Sequence, residues 1–414
     1  MNHPAARGPP ERRRAGGGGG WAACSVGGVL TRTWDETITA ATPPVAVVTD
    51  PVGGTHVLVA RHALVREVLA DPVRFRPDNA LDALTPIPVS ALRILARHGF
   101  RLPPTLANNG GASHPGIREI TAAALHPDRV AAARPWLDDV VARRVAGLRA
   151  RLRAGDAVDL YAELAADLPL LVLSRLIELP ASDVAVVKEF SRAALELFWA
   201  PLDRGRQEEL AAVVGRYHGV LRGFAAEGGG MVGRIREFAG SVDVAVGALF
   251  FLLVAGQETT SQFLTLLLHR LAGEPDVLAA VEDGRVAVDA VVEEGLRLVP
   301  PITTWRRVTG VDTELGGVAV PRGTSVVLWL AAAGSDPEVV AEPGAFRPGQ
   351  RGSRRHLAFG AGAHRCVGAQ LARMEAGVVV GRAAGLLRDA AVRRAPWCPD
   401  NLSFRMPDAL VVAR

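Results

Sequence analysis

Residues 359–368, "FGAGAHRCVG", set one cysteine, one histidine and three glycines just ahead of a helical run. Several chemistries use such residues. A phosphate cradle needs Lys-Ser/Thr after its glycines, or G-x-G-x-x-G running from a strand into a helix. Gly360, Gly362 and Gly368 satisfy neither pattern. Zinc could draw on His356, His364 and Cys366, three ligands being the number a catalytic site takes. No acid–base residue stands close to them in sequence, however. The third chemistry is a thiolate ligand to something large and flat. Flanking glycines allow close backbone approach, and the helix that follows sets its positive end near the sulfur, which lowers a thiol pKa. A buried structural cysteine is the bland alternative.

A second set lies in "VAGQETTSQFLTLLLHR" (254–270). Ala255 and Thr259 are four apart and share a helix face, with Gly256 beside them. That face is nearly bare, so a bulky partner can reach the backbone. The Thr259 hydroxyl can bond back to the Ala255 carbonyl, which loosens the helix and admits water. Glu258 is a carboxylate in an apolar stretch, costly unless paired or used. These residues suit a proton relay or an ordinary helix end, and the apolar pattern resuming at Phe263 weakens the second reading. A third set is "VVEEGLRLVPP" (291–301). Both Glu294 with Arg297 (i,i+3) and Glu293 with Arg297 (i,i+4) allow a helix ion pair. Most such pairs are solvated. Pro300 and Pro301 end that helix, and Arg306 and Arg307 follow.

The surrounding elements must position these groups. The chain has 414 residues and 49% hydrophobic content, enough for a substantial core. Its net charge of +4 is spread without a basic stripe, which argues against nucleic acid. Lys188 is the sole lysine, so arginine usage follows composition and not recognition. Three cysteines (Cys24, Cys366 and Cys398) exclude a disulfide framework and suit a reducing, cytoplasmic setting. The longest apolar run, residues 244–256, is too short to span a bilayer, so no membrane is expected. Residues 1–35 are rich in Pro, Gly and Arg and read as a disordered tail. Strands are expected at 45–50 and 56–60, and a helix at 62–71. A long loop with one helix near 88–98 covers 72–113. Helices fill 115–300, broken at Pro127, Gly155, Pro180, Pro201 and the glycines of 227–230 and 273–276. Strands return at 313–321 and 324–332, coil covers 334–363, a helix spans 367–387, and two short strands close the chain. The class is mainly α with a minor β part (α+β), one large domain over 36–414.

The residues together carry a resemblance. Phe359, Gly360, Gly362, His364, Cys366 and Gly368, followed by "AQLAR" (369–373), resemble the haem-binding signature of the cytochrome P450 family. "AGQETT" (255–260) is similar to its central-helix motif, "EGLR" (294–297) to its ExxR motif, and "HPGIR" (114–118) to a His-x-x-x-Arg segment of bacterial members. "RRVTGVDTELGGVAVPRGTSV" (306–326) is similar to the stretch after the ExxR helix. The likeness covers roughly residues 42–412.

The resemblance implies a P450 fold and a haem b cofactor with Cys366 as the axial iron ligand, whose electron donation favours O–O cleavage. Thr259 and Glu258 would deliver protons during O2 activation, beside a groove formed by Ala255 and Gly256. Glu294 and Arg297 would form a buried pair under the cysteine loop. His114, Arg118, Arg306 and His356 would hold the haem propionates, with His364 near another such contact and Phe359 packed by the sulfur. Two positions depart from the pattern. Ala345 stands where relatives often carry an arginine that completes a triad with the ExxR pair, leaving Arg347 or Arg351 as substitutes. Gly334-Ser335 stands where relatives often have Asn-Arg.

The implied activity is monooxygenation, hydroxylating or epoxidising a small secondary-metabolite intermediate. Electrons would come from a ferredoxin and ferredoxin reductase or equivalent, since no flavin or iron–sulfur segment follows residue 412. Oxidative coupling, such as aryl or peptide cross-linking, is the alternative outcome, and a non-catalytic haem-fold platform the third. The protein is expected to act as a monomer on an apolar or aromatic substrate, a peptide included. Pocket residues are expected from 79–110, 170–200, Leu252 to Gly256, Ile302 to Thr304 and Leu402 to Phe404.

Overall fold

The structure is a computed structural model that describes residues 43–179 and 184–414. The expected tail at 1–35 and the break at Pro180 lie outside the described residues. Strand β1 (Val45–Thr49) turns at Gly53 (φ +88°) and pairs antiparallel with β2 (Thr55–Val59). The Asp50 carboxylate holds the turn, accepting from the Val52 and Gly54 N–H groups at 2.9 and 2.7 Å. Helix α1 (His62–Ala70), strand β3 (Phe75–Arg76) and helix α2 (Val89–Arg97) follow. Helices α3 (His114–Ala124) and α4 (Pro127–Arg153) each carry proline in the first turn, where its missing N–H costs nothing.

Strand β4 (Val158–Asp159) and a π-turn at Tyr161–Ala165 interrupt the helical region, an irregularity the apolar pattern hides. Helices α5 (Leu168–Ile177), α6 (Val184–Trp199), α7 (Arg204–Glu227) and α8 (Gly230–Ala239) then surround α9 (Val242–Ala272). Gly240, at φ +60°, ends α8, and the Ser241 hydroxyl caps α9 by accepting from the Val244 N–H. By length and composition α9 is apolar enough to cross a membrane, yet here it is the central core helix. Helices α10 (Pro275–Glu282) and α11 (Val288–Leu298) lead into β5 (Thr304–Thr309), the hairpin β6 (Thr313–Leu315) and β7 (Val318–Val320), and β8 (Ser325–Trp329). The short helix α12 (Leu330–Gly334) takes over where strand was expected to run on to 332. Helix α13 (Ala369–Arg388) and strands β9 (Ala391–Arg394) and β10 (Val411–Ala413) complete the chain.

The main sheet has the order β1-β2-β8-β5-β3, with only β2 and β8 parallel. Strand β5 was not foreseen. Its buried arginines look like surface residues, but pairing with β8 (Arg306 opposite Val327, Arg307 opposite Val326) fixes it in the sheet. The helical core and the sheet meet at the segment before and after Cys366, which links α1, α11 and α13.

Candidate active site

The cysteine loop is shaped by two glycines in the left-handed region. Gly362 (φ +67°) lies so close to the end of α1 that a Cβ would sit 2.3 Å from the Leu69 carbonyl oxygen, so no side chain fits. Gly360 (φ +64°) is the opposite case: a Cβ there would meet nothing within 4 Å, because it faces a cavity. The Cys366 N–H donates to the Phe359 carbonyl at 2.8 Å and closes the loop, and Gly368 caps α13. The sulfur opens onto the cavity yet lies deep. Burial pushes its pKa up, and the Gly368 N–H with Arg118, Arg365 and Arg373 only partly offsets this. The helix end lowers the thiol pKa as expected, but in the free protein burial outweighs it.

The cavity measures about 1390 Å³ with its open mouth included. Ala255, Gly256 and Thr259 of α9 line it, together with Phe359, Gly360, His364, Cys366 and Gly368. The Thr259 hydroxyl donates to the Ala255 carbonyl at 2.7 Å, the back-bond its spacing allows. Gly256 also makes room for α5, since a Cβ would lie 3.1 Å from Leu173 Cδ2. Glu258 is fully buried but does not line the cavity. Its carboxylate pairs with Lys188 Nζ at 2.5 Å and with Arg192 at 3.9 Å. Lys188 also donates to Gln257 Oε1 and Ser261 Oγ at 3.0 and 3.2 Å. Burial pulls the lysine pKa down, opposed by Glu258. The partly exposed Arg192 side chain carries this network towards solvent.

One edge of the cavity is cationic. Arg118 and Arg307 line it, and neither forms an ion pair with a carboxylate among the described residues. The His114 ring stacks on His364 with centroids 4.1 Å apart, and His114 Nε2 is buried without a partner. His364 bonds the Asn109 carbonyl at 3.1 Å. Burial, with the neighbouring His114, Arg307 and Arg118, lowers its pKa to about 4. Burial and Arg118 lower that of His114 too. At neutral pH the edge therefore holds two cations and two neutral imidazoles.

Two expected propionate contacts lie elsewhere. Arg306 points to the other face of β5 and donates to the Asp82 carbonyl; Arg307, its neighbour, takes the cavity side. His356 bonds Glu293 at 3.1 Å and does not reach the cavity. Zinc fails as well: no cluster of three His, Cys, Asp or Glu able to hold a metal occurs among the described residues.

Comparison with known proteins agrees. Residues 286–383 match the family model described as Cytochrome P450. The chain is 32% identical over 367 residues to "Cytochrome P-450 monooxygenase DoxA" of Streptomyces sp. (strain C5), covering 82% of this chain and 83% of the relative. The chain belongs to the cytochrome P450 family. It is 29% identical to "Erythromycin C-12 hydroxylase" of Saccharopolyspora erythraea over 79% of this chain and 80% of that protein. Among solved structures it resembles cytochrome P450 CREJ in complex with (4-ethylphenyl) dihydrogen phosphate, with TM-score 0.82, 27% identity, and 89% and 93% coverage. Like these relatives, it is a monooxygenase of the oxidoreductase class.

A P450 requires haem, and the cavity suits one. The unpaired Arg118 and Arg307 match two propionates, the orphan His114 Nε2 awaits an acceptor or donor, and Gly360 borders open space. The ExxR pair of this P450 is fully buried. Arg297 Nε and Nη2 grip the Glu294 carboxylate at 2.9 and 2.8 Å, and the guanidinium also donates to the Pro343, Ala345 and Gly334 carbonyls. No second arginine side chain joins it among the described residues. Arg347 contributes its backbone N–H (2.9 Å), while Gln350 Nε2 (2.6 Å) and Ser353 Oγ (2.7 Å) occupy the remaining carboxylate positions. The Arg347 side chain pairs with Glu342 instead. Glu293 is a clamp that sequence reading missed: it joins His356 to Arg373, whose guanidinium covers the Phe359 ring at 4.5 Å.

Proposed function

We propose that the chain, from about residue 36, forms one haem domain in which Cys366 would supply the thiolate ligand to the iron of haem b, and that it inserts one oxygen atom of O2 into a small organic molecule. The observation that carries this is a single cavity that joins Cys366, Thr259 and an uncompensated cationic edge. Arg118 and Arg307 would bind the propionates, with His114 and His364 as neutral hydrogen-bonding partners. When bound, haem supplies O2 activation, one oxygen atom going to product and the other, with two protons and two electrons, to water. The chain's own residues must then deliver those protons while excluding bulk water. The Thr259 hydroxyl, back-bonded to Ala255, holds and hands on a proton at Oγ1. Glu258, on the far side of α9, would return a proton towards Thr259 Oγ1, with Lys188 as its adjacent proton donor and Arg192 as a fixed positive charge beside it. The apolar lining from α5 and α9 keeps the remaining volume dry.

Electrons come from a separate ferredoxin and reductase or equivalent donors. Three cysteines in a chain of 414 residues suit a cytoplasmic enzyme. The test is spectroscopic. The reduced holoprotein with carbon monoxide should show the Soret band of a thiolate-ligated haem, and Cys366→Ser should lose it. An unchanged band in that variant refutes the assignment. Mass analysis of turnover products should show the gain of one oxygen; a loss of two hydrogens would indicate oxidative coupling, and no turnover with reduced donors a binding platform.

A further inference from the structure

We propose that the substrate is an aromatic molecule without a positive charge, selected by the Trp305 ring, which Trp199 and Phe404 hold in place. This rests on the haem reading above and refines it. The charges come first. Every charged residue lining the cavity is cationic: Arg118, Arg307 and Arg365, beside His364. No aspartate or glutamate lines it, so a substrate ammonium would enter without a counter-charge. Arg118 and Arg307 are those the propionates would neutralise, which leaves Arg365 on the lining without a carboxylate partner among the described residues, so the charge argument excludes a cationic substrate and not an anionic one. Beyond this edge the polar side chains are Thr259, already bonded to Ala255, and Thr260.

The shape follows from the sheet. Trp305 stands two residues before Arg307 on β5, on the same face, so its partly exposed ring looks into the cavity. It does not stand alone. Phe404 meets it edge-on (6.2 Å, 81°), and Trp199 lies nearly parallel behind it (6.3 Å, 26°). Trp199 and Phe404 close the triangle at 5.0 Å and 72°. Phe404 is itself fixed: its N–H donates to Asn401 Oδ1 at 2.8 Å, and it bridges to Ile302. Rings locked by one another lose little freedom when a ligand arrives. Locked rings also reward offset or edge-to-face contact with another aromatic beyond the burial of area. An aliphatic ligand of equal size gains only the area.

The experiment uses haem-replete protein and three probes: 1-methoxynaphthalene, decalin and 2-naphthylmethylammonium. Equilibrium dialysis measures binding without depending on the iron, and the carbon monoxide spectrum scores the haem reading separately. 1-Methoxynaphthalene should bind about tenfold more tightly than decalin, a difference of ~1.4 kcal/mol, and the ammonium probe more weakly than it. Trp305→Leu, compared as a haem-replete sample, should close most of that gap while shifting decalin by no more than about twofold, and Phe404→Leu, which frees the Trp305 ring, should close part of it. Equal binding of the naphthalene and decalin, a gap that survives Trp305→Leu, or tight binding of the ammonium probe overturns the proposal. A missing thiolate-haem spectrum with the gap intact would reject the haem reading and keep the role of Trp305.

Discussion

Glu375 lies on α13, nine residues after Cys366, fully buried and with neither carboxylate oxygen hydrogen-bonded. Burial raises its pKa well above the ordinary value. The unfolded chain ionises this group from about pH 4.3 upward, whereas the folded chain keeps its proton. The group costs nothing below the unfolded pKa, and stability falls as pH rises from there towards the folded pKa. Glu375→Gln should remove that slope. Denaturant unfolding at pH 4 and pH 8 should show the variant gaining on the wild type at the higher pH; an equal difference at both would mean that Glu375 is not neutral in the fold. On α9, Thr259→Ala removes the only α9 hydroxyl that both lines the cavity beside Ala255 and bonds its carbonyl. Haem content should stay normal while most reducing equivalents appear as hydrogen peroxide instead of product. Unaltered coupling would remove Thr259 from the proton path.

The elements that carry these residues are held by charge as well as by packing. Burial alone would raise the Glu293 pKa, but hydrogen bonds from His356 and Arg373 hold it down at about 2. The stabilisation is complete above the ordinary carboxylate pKa and is lost as pH falls through about 2, and the shift corresponds to ~3 kcal/mol. Glu293→Gln should therefore destabilise the haem-binding loop by up to that amount at pH 7 and flatten acid unfolding below about pH 4.5. A thermal melt with haem release as readout checks it. The neighbouring Glu294 network predicts a graded series. Glu294→Ala strands the buried Arg297 and should abolish most soluble holoprotein, whereas Gln350→Ala with Ser353→Ala should cost only part of the haem retention.

What the sequence made legible, and what it hid, divides along the same lines. The back-bonded Thr259 and the glycine-shaped Cys366 loop follow from local spacing, whereas spacing only allows the Glu294–Arg297 pair and the family resemblance alone implies that it is buried. Which of Arg306 and Arg307 faces the cavity depends on the register of β5 against β8, a long-range fact no local pattern contains. The same holds for His356, claimed by Glu293, and for Gln350 and Ser353, whose donors take the place expected of an arginine. The short β4 strand and the π-turn at 161–165 are hidden because they continue an apolar helical pattern.

At the scale of the whole molecule, α9 divides two kinds of access. One side of the helix faces the cavity, and the other meets Lys188 and Arg192 near the surface, so the proposed proton path would enter from the side opposite the cavity. Electrons need a third. NAD(P)H alone should give no turnover, and adding a ferredoxin with its reductase should restore it; oxidation sustained by NAD(P)H without them would place the reductase function in this chain. Strand β5 ties two of these demands together, because Trp305 and Arg307 share one face two residues apart. A lineage that broadens its diet by trimming Trp305 also loosens the strand that anchors the cofactor. Drift in substrate range should therefore be paired with repairs at Trp199 or Phe404, and laboratory evolution for new substrates should recover mutations at 305 and 404 together more often than either alone.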